Sequence, residues 1–139
     1  MNHLSWLIGC RFQLLTRREH DWVVAFDRGA SLVIGCLWRL VESDRIRFTS
    51  EDDGHQFGLP SPVDAATEVN RRLAEASVEG VDLRERFLDL DVRFSTGHVL
   101  QVIPDSSAYE AWNLSSGNGQ VIAVGGGELV TYGSTDGGD

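Results

Sequence analysis

The most specific chemistry-bearing group in this chain is Tyr109-Glu110-Ala111-Trp112. On an extended strand the side chains alternate, so Tyr109 and Ala111 would share one face and Glu110 and Trp112 the other. Glu110 would then be an acid or a ligand contact beside an aromatic wall. The plainer reading places Trp112 in the core and gives Glu110 to a backbone donor or an arginine, so the motif's role stays open. A second group is acidic. Glu42 and Asp44 precede a candidate strand near Ile46 to Thr49, and Glu51, Asp52 and Asp53 follow it. Together they can form a negative rim for a basic partner, against the plainer reading of a solvated loop face.

Other reactive residue types lack the spacing that chemistry requires. His3, His20, His55 and His98 are scattered, and metal sites need clustered donors. Asp52-Asp53-Gly54-His55 reads as a wet turn, since it lacks calcium-loop spacing. No metal site and no cofactor is expected. Nucleophilic catalysis needs a nucleophile, a base and an oxyanion site. Ser5, Ser106 and Ser107 have no partner readable from sequence, and no Gly-x-Ser-x-Gly elbow occurs, so no catalytic residue is assigned. Gly125-Gly126-Gly127 precedes a strand and lacks a Lys-Ser/Thr ending, which favours a turn or bulge over a phosphate cradle. Cys10 and Cys36 sit in apolar, strand-like surroundings and read as reduced, buried thiols.

The elements that must position these residues are mostly strands. The 139 residues fit one domain, expected over 1–132, with a disordered Gly/Ser/Thr/Asp tail over 133–139. Leu7 to Thr16, Trp22 to Asp27, Ser31 to Val41 and Arg45 to Thr49 are rich in β-formers. So are Phe87 to Phe94, Val99 to Ile103, Tyr109 to Leu114, Gln120 to Val124 and Glu128 to Tyr132. One helix is expected over about 62–79. Ser61 would cap it and Pro62 would open its first turn, with Ala66, Val69, Leu73 and Ala76 on one face and Gly80 as the stop.

An internal repeat organises the strands. Phe26-x-x-Gly29-x-x-Leu32-x-Ile34 matches Phe94-x-x-Gly97-x-x-Leu100-x-Val102, and Val24 matches Val92. After a six-residue insertion, Trp38-Arg39-Leu40 resembles Trp112-Asn113-Leu114. Each unit reads as a strand, a glycine turn and a returning strand. The expected fold class is α+β, predominantly antiparallel β. Two related β-meander halves, about 7–58 and 84–132, are joined by the helix.

Phe94-x-x-Gly97-x-x-Leu100, Pro104, Tyr109-Glu110-Ala111-Trp112 and Gly126-Gly127-Glu128-Leu129 follow in order. In this the chain resembles a family of small, uncharacterised bacterial proteins, common in actinobacteria, that share a Tyr-Glu-Ala-Trp motif and a closing Gly-Gly motif. The likeness spans about residues 7 to 132 and is strongest in the second half. Where that family tends to have a proline before its Gly-Gly pair, this chain has Gly125. The resemblance implies a fold grouping and a bacterial origin, and it adds no catalytic residue.

Charge narrows the function classes. The formal net charge is −9, and all twelve basic residues are arginine. Missing lysine excludes Schiff-base chemistry. Acidity on this scale opposes binding to nucleic acid and to anionic membranes. It suits a basic protein partner, because opposite fields speed encounter. No apolar run is long enough to span a bilayer, and Met1 to Cys10 lacks the basic start of a signal peptide, so a cytoplasmic location is expected. The first expectation for function is a protein-binding module, in its most concrete form an immunity protein that occludes a basic toxin domain. The alternatives are a small-molecule-binding domain, motivated by four tryptophans, and a self-associating subunit such as a homodimer.

Overall fold

The computed structural model describes residues 4–133. After a short 3₁₀ turn at Ser5–Leu7, five strands follow: β1 (Phe12–Arg17), β2 (Trp22–Phe26), β3 (Ser31–Ile34), β4 (Leu37–Glu42) and β5 (Arg45–Thr49). One helix comes next, α1 (Ala65–Leu73). Six more strands complete the chain: β6 (Val78–Leu83), β7 (Leu90–Phe94), β8 (Val99–Ile103), β9 (Trp112–Ser116), β10 (Gly119–Val124) and β11 (Glu128–Gly133). They build two antiparallel sheets, ordered β1-β2-β3-β9-β10-β11 and β5-β4-β8-β7-β6. The fold is thus β-rich, with two meander-like halves joined by one helix.

The halves are not separate sheets. Each begins in one sheet and ends in the other, and the seam of each sheet joins strands from both halves. β3 pairs with β9, setting Leu32 opposite Leu114 and Ile34 opposite Trp112. β4 pairs with β8, setting Leu40 opposite Leu100 and Trp38 opposite Val102. These are the same contacts repeated by an internal two-fold relation, residue for repeated residue. The hairpins agree, with Val24 opposite Leu32 in β2–β3 and Val92 opposite Leu100 in β7–β8. The relation also identifies β6 as the counterpart of β1. Both carry a register shift near their start, between Phe12 and Leu14 and between Val78 and Gly80. Just before these shifts, Arg11 bridges Ser77. Inward-facing side chains of both sheets merge into one apolar cluster that includes Trp38, Trp112, Phe12 and Phe94.

Several expected boundaries move. The apolar run Ser31 to Val41 is two strands, because the chain crosses between sheets at Gly35-Cys36. There Gly35 N–H donates to Ala111 O at 2.8 Å, and a Cβ on Gly35 would lie 3.1 Å from Glu110 O. Leu7 to Thr16 is extended only from Phe12; before it the chain winds into the 3₁₀ turn. The helix is shorter than 62–79. Asp64 caps it, accepting from Thr67 N–H at 3.2 Å, in place of Ser61. It ends at Leu73, and Glu75 takes a left-handed φ of 58°. Gly80 is no helix stop; it lies inside β6, where a side chain would overlap the Arg93 guanidinium. The second half therefore begins near Val78, not 84. Gly133 closes β11, and the expected disordered tail otherwise lies outside the described residues.

A nine-residue helix falls below the roughly 12–15 residues at which isolated helices become marginal in water, so packing must hold α1. Ala65, Val69 and Leu73 are buried, and burying Val69 and Leu73 contributes about 1.5–3 kcal/mol each. Asn70 adds a polar clamp. Its Oδ1 accepts from Leu15 N–H at 2.6 Å and its Nδ2 donates to Leu15 O at 3.0 Å. The side chain thereby occupies backbone groups at the open edge of β1.

Candidate functional site: the loops around the glycine turn

The two motifs that stand apart in sequence meet in space. The β10–β11 turn contains Gly125, Gly126 and Gly127, and the loop 104–111 packs directly on it. A Cβ on Gly125 would lie 2.6 Å from Ala108 Cα, so only glycine lets the two backbones touch. Gly126 N–H donates to Ser106 O at 3.2 Å. On the other side, a Cβ on Gly127 would lie 2.9 Å from Arg86 O, in the loop before β7. Two loops thus converge on one turn, with Gly126 and Gly127 at φ of 82° and 95°.

Each loop is internally tied. Ser106 Oγ accepts from Ala108 N–H at 3.1 Å and from Tyr109 N–H at 2.9 Å. Ala111 N–H donates to Ala123 O at 2.8 Å. Arg84 N–H donates to Asp89 O and Leu88 N–H to Arg84 O, closing the 84–89 loop. Trp112, fully buried, donates its indole N–H to Leu88 O at 2.9 Å. The tryptophan of the motif is therefore a core anchor that pins the neighbouring loop.

The result is a fixed platform with two exposed aromatic rings. Tyr109 is 80% exposed and Phe87 is 68% exposed, beside exposed Glu85, Arg86, Glu110 and Glu128. The strand alternation expected for Tyr109 to Trp112 does not occur. β9 starts only at Trp112, so Tyr109 and Glu110 belong to the loop, and Ala111 and Trp112 are buried together. Phe87 was expected at the head of a strand. It stands instead in the loop before β7, and its position beside the glycine turn had no sequence signal.

The acidic rim is largely engaged within the protein. Asp52 Oδ2 accepts from Thr49 N–H at 3.0 Å, and Asp53 Oδ1 accepts from Ala65 N–H at 2.9 Å. Asp53 also faces Arg17 at 3.9 Å. Asp44 and Glu51 are exposed. Glu42 lies at the centre of a network that the sequence did not reveal. His98 Nε2 contacts Glu42 Oε1 at 2.8 Å, and His98 Nδ1 contacts Thr96 Oγ1 at 2.8 Å. Arg72 from α1 and Arg47 from β5 approach the same carboxylate at 3.3 and 3.5 Å. The His98 hydrogen bond, more than the arginine charges, holds the Glu42 carboxyl below its ordinary pKa.

A hydroxyl, an imidazole and a carboxylate in line is the donor order of a general-base relay. Here the hollow beside it, about 250 Å³, is lined by Glu42, Ser43, Thr96, Gly97 and His98. These bring no apolar wall to hold an acyl group. What the network does is fasten the β4–β5 and β7–β8 turns to α1.

The cysteines are free thiols. Cys10 is buried, and burial raises its pKa. Burial also pushes the Cys36 thiol up to about 12, leaving little nucleophilic thiolate at neutral pH. Among the described residues no group of three His, Cys, Asp or Glu is placed to hold a metal ion. Nor is any described helix long and apolar enough to cross a membrane.

These features define a two-sheet antiparallel β domain with an internally repeated strand order and a loop platform at one end. Residues 3–133 match a family described as a family of unknown function (DUF6188), and the chain belongs to it. No curated protein and no solved structure matches the chain.

Proposed function

We propose that this chain is a binding module for a basic protein, docked through the Phe87–Tyr109 platform. The observation that carries this reading is the pair of large aromatic rings held in water by tied loops. Aromatic anchors on fixed backbone lose little entropy on binding and dominate interface energies. The surrounding Glu85, Glu110 and Glu128 outnumber Arg84 and Arg86, and the net charge of −9 adds long-range attraction for a cationic partner. In its most concrete form the partner is a basic toxin domain whose active site the platform would cover, which makes this chain an immunity protein. The internal engagement of Asp52, Asp53 and Glu42 favours the platform over the acidic rim as the contact surface.

The test begins with capture of partners from the source organism at low and high salt. Affinity of the purified captured protein is then measured for the native chain and for a Phe87→Ser/Tyr109→Ser variant. The expected result is a basic partner whose binding weakens with salt and falls about tenfold or more in the variant. Unchanged affinity in that variant, with loss on charge reversal at Asp44 and Glu51, would return the contact to the acidic rim.

A further inference from the structure

The two sheets end in four strand edges: β1 and β11 in one, β5 and β6 in the other. A bare edge offers unpaired N–H and C=O groups to any extended segment, and proteins usually block it. Three of these edges are blocked. Asn70 occupies the backbone of β1 at Leu15. Val78 at the head of β6 exchanges hydrogen bonds with Gly9 and Cys10, and β6 carries a register shift. β5 presents exposed Arg45 and Arg47 beside an irregular register with β4.

Among the described residues, β11 has none of these defences. It runs six consecutive pairs with β10 without a shift. It contains no proline and no basic residue, and its single charge, Glu128, stands at its start. Tyr132 on it is 56% exposed. β11 also falls outside the repeat, since no strand in the first half corresponds to it.

We propose that β11 is the interface for a second copy of this chain, paired antiparallel about a two-fold axis so that the two six-stranded sheets become continuous. An isologous contact brings the same strand to itself. Directly opposite residues of an antiparallel pair share a face, so the axis passes between one residue and its own copy, here Thr131. Thr131 then faces Thr131 of the second copy, Val130 faces Tyr132, and Leu129 faces Gly133. The aliphatic–aromatic pairs are favourable cross-strand neighbours, and no like charges meet. Two chains of net charge −9 repel each other, so self-pairing requires an uncharged strip, and β11 supplies one. An edge shaped for a foreign basic strand would carry acids along its length, whereas β11 has one at its end.

The test is sedimentation of the full chain across concentration at low and high salt. The expected result is a change from one chain to two as concentration rises. The change should come at lower concentration in high salt, because screening removes the net repulsion. A Val130→Lys/Thr131→Lys variant, with folding verified by its melting curve, places four ammonium groups around the axis. It should raise the concentration of half-dimerisation at least tenfold. Should that variant not fold, amide hydrogen exchange of the native chain decides instead, with exchange across Leu129–Tyr132 slowing as concentration rises. A single-chain mass under all conditions overturns the proposal. So does a dimer that leaves β11 exchange unprotected or forms unchanged in the folded variant. Failure here leaves the basic-partner reading intact, because that contact is anchored by Phe87 and Tyr109 in the loops before β7 and β9 and weakens with salt.

Discussion

Trp38 and Trp112 occupy equivalent places in the repeated halves, and both are fully buried. Their indole N–H groups have different fates. Trp112 donates to Leu88 O, whereas Trp38 Nε1 has no oxygen or nitrogen partner among the described residues. The loops account for the difference. The second half connects β6 to β7 with residues 84–89, enough to fold Leu88 back over the tryptophan. The first half connects β1 to β2 with only 18–21. There Trp22 fills the space instead, its ring perpendicular to Trp38 at 5.1 Å, with the Arg17 guanidinium over Trp22 at 4.8 Å. The crossovers differ in the same sense: Gly35-Cys36 in the first half, 104–111 in the second. The two halves share one skeleton, and the longer loops of the second half form the platform.

The largest effect expected from this comparison comes at Gly125, where the longer crossover rests on the glycine turn. Gly125→Ala drives a methyl group into the Ala108 backbone, which has no side-chain freedom to yield. A loss of about 3 kcal/mol is expected, at the upper end of overpacking costs, measured by urea unfolding. A loss below about 1 kcal/mol would mean that the two loops are not locked together. Next in size is the tryptophan pair. Trp112→Phe and Trp38→Phe remove similar ring area, but only the first leaves a buried carbonyl unpaired, at Leu88. Trp112→Phe should be more destabilising by about 1–2 kcal/mol, the cost of an unmet buried acceptor. Equal losses would mean that the Leu88 bond contributes nothing beyond packing.

The repeat itself was legible in the sequence. Its matched Phe, Gly, Leu and Trp positions fall on matched register positions, because a two-fold relation requires the same residue types at both seams. The six-residue insertion was legible too, as the difference between the crossovers. What escaped was every place where composition carries no period. Ser31 to Val41 is dominated by β-forming apolar residues on both sides of Gly35-Cys36, so the sheet change there was not marked. β6 was hidden because Ala76 continued a helical pattern and Gly80 read as its stop, and only pairing with β7 makes Val78–Leu83 a strand. Tyr109 and Glu110 looked like strand residues by type, and the turn held by Ser106 overrides that preference. The meeting of Phe87 with the glycine turn, and of Glu42 with His98, joins residues far apart in sequence. Such contacts are set by topology and leave no local trace.

The smallest expected effect tests the opposite end of the repeat. Where the second half has His98, the first has buried Ala30. Where the first half has Glu42, the second has Ser116. The repeat therefore makes one titratable latch and one inert equivalent. In the latch, the His98 hydrogen bond is the leading cause of the lowered Glu42 pKa, with desolvation opposing it and Arg72 and Arg47 assisting. A carboxyl whose folded pKa is depressed adds stability above its unfolded value and loses it as pH falls through the folded value. His98→Ala should therefore cost stability at neutral pH. The gap from the native chain should narrow as pH drops below about 4, where an ordinary carboxyl is protonated in the unfolded chain. Because Glu42 is partly exposed, the effect is small and shrinks with salt. Melting curves of both proteins across pH measure it. A gap that stayed constant to the lowest pH would assign His98 a packing role and remove the charge from the latch.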